Sequence, residues 1–244
     1  MKQQSKSIIY SLFLSITLFL SACSIPKIER YKVTLNVEYN GALYSASAVQ
    51  EIKCTPSNSF WQGMSMGGCD LKGEAIPLQL GANGYLFLIL AGKNGGNALE
   101  YYYYLTNKAD EQRKKGKVWD VNLNEAPMLV TFFDVNDSKT VKRVHFFPHE
   151  EIDHYEKYRP FPASQELERP IMKMVQPNSK DYFGETTIIK SIHVERTNEP
   201  ITWGQIEKVL PWLADIGDNL LDGHYASDGS TLAGNLQKIN FIWR

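Results

Sequence analysis

The stretch YKVTLNVEY, Tyr31 to Tyr39, alternates apolar and polar positions without a slip. Tyr31, Val33, Leu35, Val37 and Tyr39 fall on one side; Lys32, Thr34, Asn36 and Glu38 fall on the other. That period of two predicts a half-buried antiparallel strand. Asn40-Gly41 supplies the positive φ angles of a type I′ turn, so Ala42 to Cys54 is expected to return as the hairpin partner. Thr55 to Gly68, rich in Ser, Gly and Asn, predicts a loop. Strand-like chain resumes at Gly73 in GEAIPLQLGANGYLFLILAG. There Pro77 assigns the first arm to an edge or a bulge, because proline cannot donate to a ladder. Asn83-Gly84 marks a turn, and Tyr85 to Leu90 is apolar on both faces, as a central strand would be.

Further along, Tyr101 to Tyr104 fits either a strand or a helix, and Asn107 to Lys117 reads as a solvated charged stretch. Met128 to Val135 and Thr140 to Phe146 predict a hairpin around Asn136-Asp137-Ser138. Residues 147–182 are proline-spotted and weakly periodic, which predicts a long surface excursion. Thr187 to Glu195 is one more strand. Thr202 and Gln205 have capping-box spacing, with Ile201 and Ile206 placed as a hydrophobic staple. Ile206, Val209, Leu210 and Leu213 then recur at helical spacing. Pro211 has no amide to donate, so the helix is expected to kink or restart there. A short helix near Thr231 to Lys238 and a strand from Ile239 to Trp243 complete the pattern. The predicted class is α+β: mainly antiparallel sheet, with a few helices concentrated in the C-terminal third.

The amino-terminal region has a different pattern. Met1 to Ser7 carries Lys2 and Lys6 and no acid, and the 13 residues Ile8 to Leu20 are mostly apolar. That run is too short for a hydrocarbon core of about 30 Å, which needs roughly 20 residues, but it matches the apolar region of an export signal. Leu20-Ser21-Ala22-Cys23 resembles the lipobox of bacterial lipoproteins. The resemblance implies cleavage before Cys23, a diacylglycerol on its sulfur and acylation of the freed amine. Ser24 after the cysteine resembles lipoproteins sent to the outer membrane of Gram-negative cells, facing the periplasm. An ordinary signal peptide or an uncleaved anchor is the alternative. The expected organisation is a signal peptide at 1–22, a lipidated Cys23 with a short tether to residue 30, and a single β-rich domain over 31–244.

Composition narrows the partners. Loss of the signal removes two lysines from 26 basic residues and none of the 27 acidic ones, leaving 24 against 27. Such a near-neutral chain is not expected to bind nucleic acid. No second apolar span follows, so the bilayer is expected to hold the chain only through acylated Cys23. With Cys23 assigned to lipid, Cys54 and Cys69 remain, and in an oxidising compartment they are expected to pair. Two free thiols or a metal pair is the alternative.

Four groups of residues carry possible chemistry. Gly63-Met64-Ser65-Met66-Gly67 matches G-x-S-x-G, the nucleophile elbow of α/β-hydrolases, which would make Ser65 a catalytic serine. Its setting, a polar loop without alternating strands and helices, favours a glycine-rich turn. His145, His149, Glu150, Glu151, Asp153 and His154 are dense in metal-ligand types. However, His149 and His154 stand five apart and do not share a helical face as an i, i+4 pair does. A hydrated acidic loop is the plainer reading. Tyr101, Tyr102, Tyr103 and Tyr104 could stack on a ligand or simply fill a sheet edge. Asp134, Asn136 and Asp137 resemble a fragment of a calcium loop, but the central glycine and distal glutamate are absent.

Several segments taken together resemble an uncharacterised family of proteobacterial proteins. They are GEAIPLQLG, PMLVTFFDVND followed by TVKRV, FGETTIIKSIHVERTNEPITWGQIEKVLPWL, and LDG. Ser138 departs from that pattern, where proline is expected, and the stretch between Val144 and Phe183 is longer than usual. The resemblance supports the one-domain reading and implies no catalytic residue or cofactor. The expected role is a non-enzymatic envelope lipoprotein that binds another envelope component or an incoming protein. A periplasmic hydrolase using Ser65 and a metal-binding protein using His149 and His154 are the alternatives.

Overall fold

The alternation at Tyr31–Tyr39 is realised as the two faces of one strand. The computed structural model of the chain describes residues 27–55, 68–82, 84–93, 100–101, 105, 118–123, 126–145, 182–184, 187–225 and 231–244. Strand β1 (Lys27–Tyr39) buries Tyr31, Val33, Leu35 and Val37 completely and leaves Lys32, Thr34, Asn36 and Glu38 partly exposed. Asn40 and Gly41 take φ angles of 52° and 75°. Strand β2 (Ala42–Thr55) then returns in unbroken register, from Tyr39 opposite Ala42 to Lys27 opposite Cys54. β1 thus begins four residues before Tyr31, the expected start, and shortens the expected tether. Its charged opening residues lack alternation, yet they are held: Arg30 pairs with Glu51, and Glu29 with Tyr31 and Arg196.

Strand β3 (Gly68–Glu74) likewise starts ahead of Gly73, because Cys69 lies opposite Cys54 and the two are disulfide-bonded with Cα atoms 4.1 Å apart. The remaining strands are β4 (Ile76–Gln79), β5 (Tyr85–Leu88), β6 (Val118–Asp120), β7 (Leu129–Phe132), β8 (Val141–Val144), β9 (Ile188–Arg196) and β10 (Ile242–Trp243). They form a six-stranded sheet in the order β10-β3-β2-β1-β9-β6 and a four-stranded sheet in the order β4-β5-β7-β8, with every pairing antiparallel. Pro77 lies on the edge strand β4 of the smaller sheet, as its missing donor requires. β6 follows a charged stretch and gave no sequence signal.

The smaller sheet is a middle layer. Leu86, Leu88 and Leu129 on one face join the core beneath β1, with Tyr31, Leu35 and Ile192. Phe87, Val130, Phe132 and Val141 on the other face pack against Ile206, Leu210, Leu213, Leu236 and Phe241. A strand covered on both sides needs apolar residues at successive positions, which explains why Leu86 to Leu88 are all fully buried; the burial continues beyond the strand through Ile89, Leu90 and Ala91.

The covering layer is built from short turns. Helix α1 (Gln205–Val209) ends where Pro211 intervenes, and the chain restarts as a 3-10 turn at Pro211–Ala214. The capping box at Thr202 does not form. The Thr202 hydroxyl instead accepts from the Val49 amide at 2.9 Å, and the residue before the helix is Gly204, at φ 80°. The helix expected near Thr231 to Lys238 is reduced to a 3-10 turn at Ala233–Asn235, and a second 3-10 turn, Lys238–Asn240, takes up part of the expected terminal strand and reduces it to Ile242–Trp243. Helical residues also occur earlier, at Glu100, Tyr101, Leu105 and Tyr182–Phe183. The class is therefore mainly antiparallel sheet with few helices, not all of them near the carboxyl end.

Candidate interaction surface

The smaller sheet covers one face of the larger one, and the other face is crossed only by a strap among the described residues. After Arg196 the chain passes over β1, with the Thr197 amide on the Arg30 carbonyl at 3.0 Å and Lys32 paired to Glu199 at 3.1 Å. It reaches β2 on the far side, where Thr202 and Val49 exchange two hydrogen bonds. Beyond this strap three cross-strand rows face outward. One runs Asp120, His193, Thr34, Ser47; the next Ser191, Asn36, Ser45; the third Ile188, Glu38, Leu43.

These rows are internally bonded, as side chains directly opposite one another on a sheet can be. The Ser45 hydroxyl donates to Asn36 Oδ1 at 2.6 Å, and Asn36 Nδ2 donates to Ser191 Oγ at 3.0 Å. Lys190 pairs with Glu38 at 3.1 Å. Leu43 is 67 % exposed and Ile188 45 %, so the third row has apolar ends around a charged centre. Asn36, Ser45, Ser191 and Glu38 are thus held by their neighbours, and the rows present a mixed polar and apolar surface.

His193 Nδ1 lies 2.9 Å from Asp120 Oδ1, and Thr34 stands opposite His193 on the next strand. Acid, imidazole and hydroxyl follow one another as in a hydrolase triad. A triad also needs donors aimed at a developing oxyanion. Within an antiparallel sheet the backbone amides lie in the plane of the ladder, so none projects over the Thr34 hydroxyl. The arrangement has the order of a catalytic site without its electrostatics. It serves to fix the three-residue strand β6 to the edge of β9.

A second polar group lies inside. Gln50 is fully buried; its Nε2 donates to the Glu74 carbonyl at 3.1 Å and its Oε1 accepts from the Tyr101 hydroxyl at 2.8 Å. Gly73, across the ladder from Gln50, has φ +150°, and a Cβ there would stand 2.8 Å from Gln50 Cγ. Glu74 is also fully buried, and its carboxylate takes over the helix cap that Thr202 does not supply, accepting from the Gln205 amide at 3.0 Å. Desolvation, and then the charge of Glu207, push its carboxyl above the ordinary range against the pull of the Gln205, Gly204 and Ile206 amides.

The expected site residues are distributed as follows. Cys54 and Cys69 are bonded to each other. Tyr101 is helical and fully buried, so its ring offers no face to solvent, and burial raises its hydroxyl well above the usual tyrosine value. Cys23, Ser65, His149, His154 and Tyr102 to Tyr104 lie outside the described residues, as do Glu150, Glu151 and Asp153. Asp134 and Asp137 use their carboxylates on the turn itself, accepting from the amides of Asn136 and Lys139 at 2.8 and 3.0 Å. Among the described residues no cluster of three or more His, Cys, Asp or Glu is placed to hold a metal, and no helix is long and apolar enough to cross a membrane. Comparison with protein-family models, with characterised proteins and with solved structures gives no match.

Proposed function

We propose that this chain is an envelope lipoprotein, acylated at Cys23 and held at the periplasmic face of the outer membrane. There it binds another envelope component or an incoming protein, without catalysing a reaction. The observation that carries the binding part is the outward face of the larger sheet, where Asn36 is bonded to both Ser45 and Ser191 and flanked by exposed Leu43 and Ile188. Side chains already held in place lose little further freedom when a partner docks, which favours affinity. The lipid part is supported by the basic, apolar and small-residue sequence that ends at Cys23.

Photo-crosslinking in living cells tests the binding part. A photoreactive residue in place of Ser47, on the outward face, is expected to yield one adduct of defined mass. The same residue in place of Tyr225, which is 86 % exposed on a turn, is expected to yield none. Equal labelling from both positions, or none from Ser47 in any growth condition, speaks against this face. Mass spectrometry of the cell-derived amino-terminal peptide tests the lipid part, with an acylated Cys23 as the expected residue one.

A further inference from the structure

β1 is paired from its first residue, Lys27, which lies opposite Cys54; the Cys54–Cys69 disulfide occupies the same row. β9 begins its pairing with β1 only at Tyr31. Residues 27–30, 51–55 and 68–72 therefore project beyond β9 as a three-stranded end, stapled across its tip. Cys23 precedes Lys27 by four residues, a reach of at most about 14 Å at roughly 3.5 Å per residue. The Asn40-Gly41 turn lies at the other end of the 13-residue strand, roughly 40 Å away at about 3.3 Å per residue.

The projecting end has the side chains to meet headgroups. Ile28 is 55 % exposed. Glu29 and Glu51 are engaged by Arg196 and Arg30, which removes most of the acidic character here. Lys53 and Lys72 are exposed and have no ion pair among the described residues, as does Asp70. Asp70 stands opposite Lys53 on the ladder, so two ammonium groups face one carboxylate here; that positive excess, with an apolar side chain beside a lipid tether, suits an anionic bilayer surface.

We infer that this three-stranded end, around Ile28, Lys53 and Lys72, is a second membrane contact. It rests on anionic phospholipid headgroups while the Asn40-Gly41 end stands away from the bilayer. The inference depends on the acylation of Cys23 proposed above. Its physical content is that the fold is seated on the lipid in one orientation instead of swinging from it.

The experiment uses full-length, cell-derived protein in vesicles of phosphatidylcholine and phosphatidylglycerol containing a lipid spin-labelled at the headgroup. A fluorescent non-canonical residue replaces either Asp70, at the projecting end, or Leu43, beside the distal turn. The Asp70 probe is expected to be quenched several-fold more than the Leu43 probe, and the difference is expected to shrink in the K53E/K72E variant. Equal quenching, stronger quenching at Leu43, or no response to K53E/K72E overturns the seating. The mass of the amino-terminal peptide from the same preparation separates the two ideas. A modified Cys23 with equal quenching removes the seating alone, whereas an unmodified Cys23 removes both.

Discussion

The Glu74 carboxylate accepts the Gln205 amide at 3.0 Å, joining residues 131 positions apart. A side chain from the end of β3 thus caps a helix in another layer. The same residue's carbonyl holds Gln50, which holds Tyr101. One short run of buried polar atoms therefore ties the larger sheet to the covering layer and to the helical residues around Tyr101.

This link gives the protein a pH dependence with a definite sign. The Glu74 carboxyl is raised above 4.5 in the fold, chiefly by desolvation, so the native state holds the proton more tightly than the unfolded chain. The stabilising contribution is complete below the unfolded value of 4.5 and is lost as pH rises through the higher folded value. In chemical denaturation between neutral pH and 4.5, wild type is expected to gain stability from this group as pH falls. Glu74→Gln keeps an oxygen for Gln205 and cannot ionise, so its profile is expected to be flatter over that window. An unchanged profile contradicts the assignment.

Glu29 is predicted to act with the opposite sign. Burial pushes its carboxyl up, but the Tyr31 hydroxyl, Lys27 and Arg196 together outweigh burial and leave it lowered from 4.5. Its contribution is present above the unfolded value and is lost as pH falls through the depressed folded one. Glu29→Gln is therefore expected to be most destabilised at neutral pH and to converge on wild type in acid, as read by the same denaturation series.

Gly73→Ala is expected to lower stability by about 1 to 3 kcal/mol, because the new methyl overlaps Gln50 and the backbone conformation disfavours a side chain. The penalty is expected to be smaller in a Gln50→Ala background, where the closest contact, with Gln50 Cγ, is gone. A double-mutant cycle measures that coupling; additive effects would place the strain elsewhere.

Cleaving Cys54–Cys69 should shift the urea midpoint downward by the equivalent of about 3 kcal/mol, the chain-entropy value for a loop of roughly 15 residues. The C54S/C69S variant is expected to match reduced wild type. The alternation of β1 should protect its amides from exchange in both forms, so the loss is expected to concentrate at the stapled end.

Removing His193 is expected to change stability by less than about 1 kcal/mol, since its pairing with Asp120 is exposed to solvent. His193→Ala is also expected to leave no esterase activity to lose. A hydrolytic activity abolished by this substitution would revive the triad reading that the sheet geometry argues against.

Much of the fold was legible because the deciding signals were local. Alternation at Tyr31–Tyr39, the Asn40-Gly41 dipeptide and the two-sided apolar run at Leu86 are properties of neighbouring residues. So is the break at Pro211. Several of the misreadings involve partners far away in sequence. Thr202 had the spacing of a cap, but Val49, 153 residues distant, claimed its hydroxyl. β6 consists of three residues with no room for a pattern, and it exists because β9 offers an edge. The outward rows were half legible: Thr34 and Asn36 were visible as the polar side of β1, but nothing local told that Asn36 would meet Ser191, or His193 meet Asp120. Tyr101 fitted two periods, and nothing local told that it would be helical with its hydroxyl on Gln50 in the core.

The pairing of β10 with β3 has a bearing on how the molecule comes into being. Ribosomes deliver the amino end first, so the first hairpin can close while most of the chain is still unmade. The Ala75 and Leu90 amides, however, are bonded to the carbonyls of Phe241 and Asn240. Until Asn240 and Phe241 emerge, the aromatic underside around Phe87 and Phe132 can be covered only in part, by Ile206, Leu210, Leu213 and Trp212. A growing chain therefore keeps part of that apolar face open to water until residue 241 has been made.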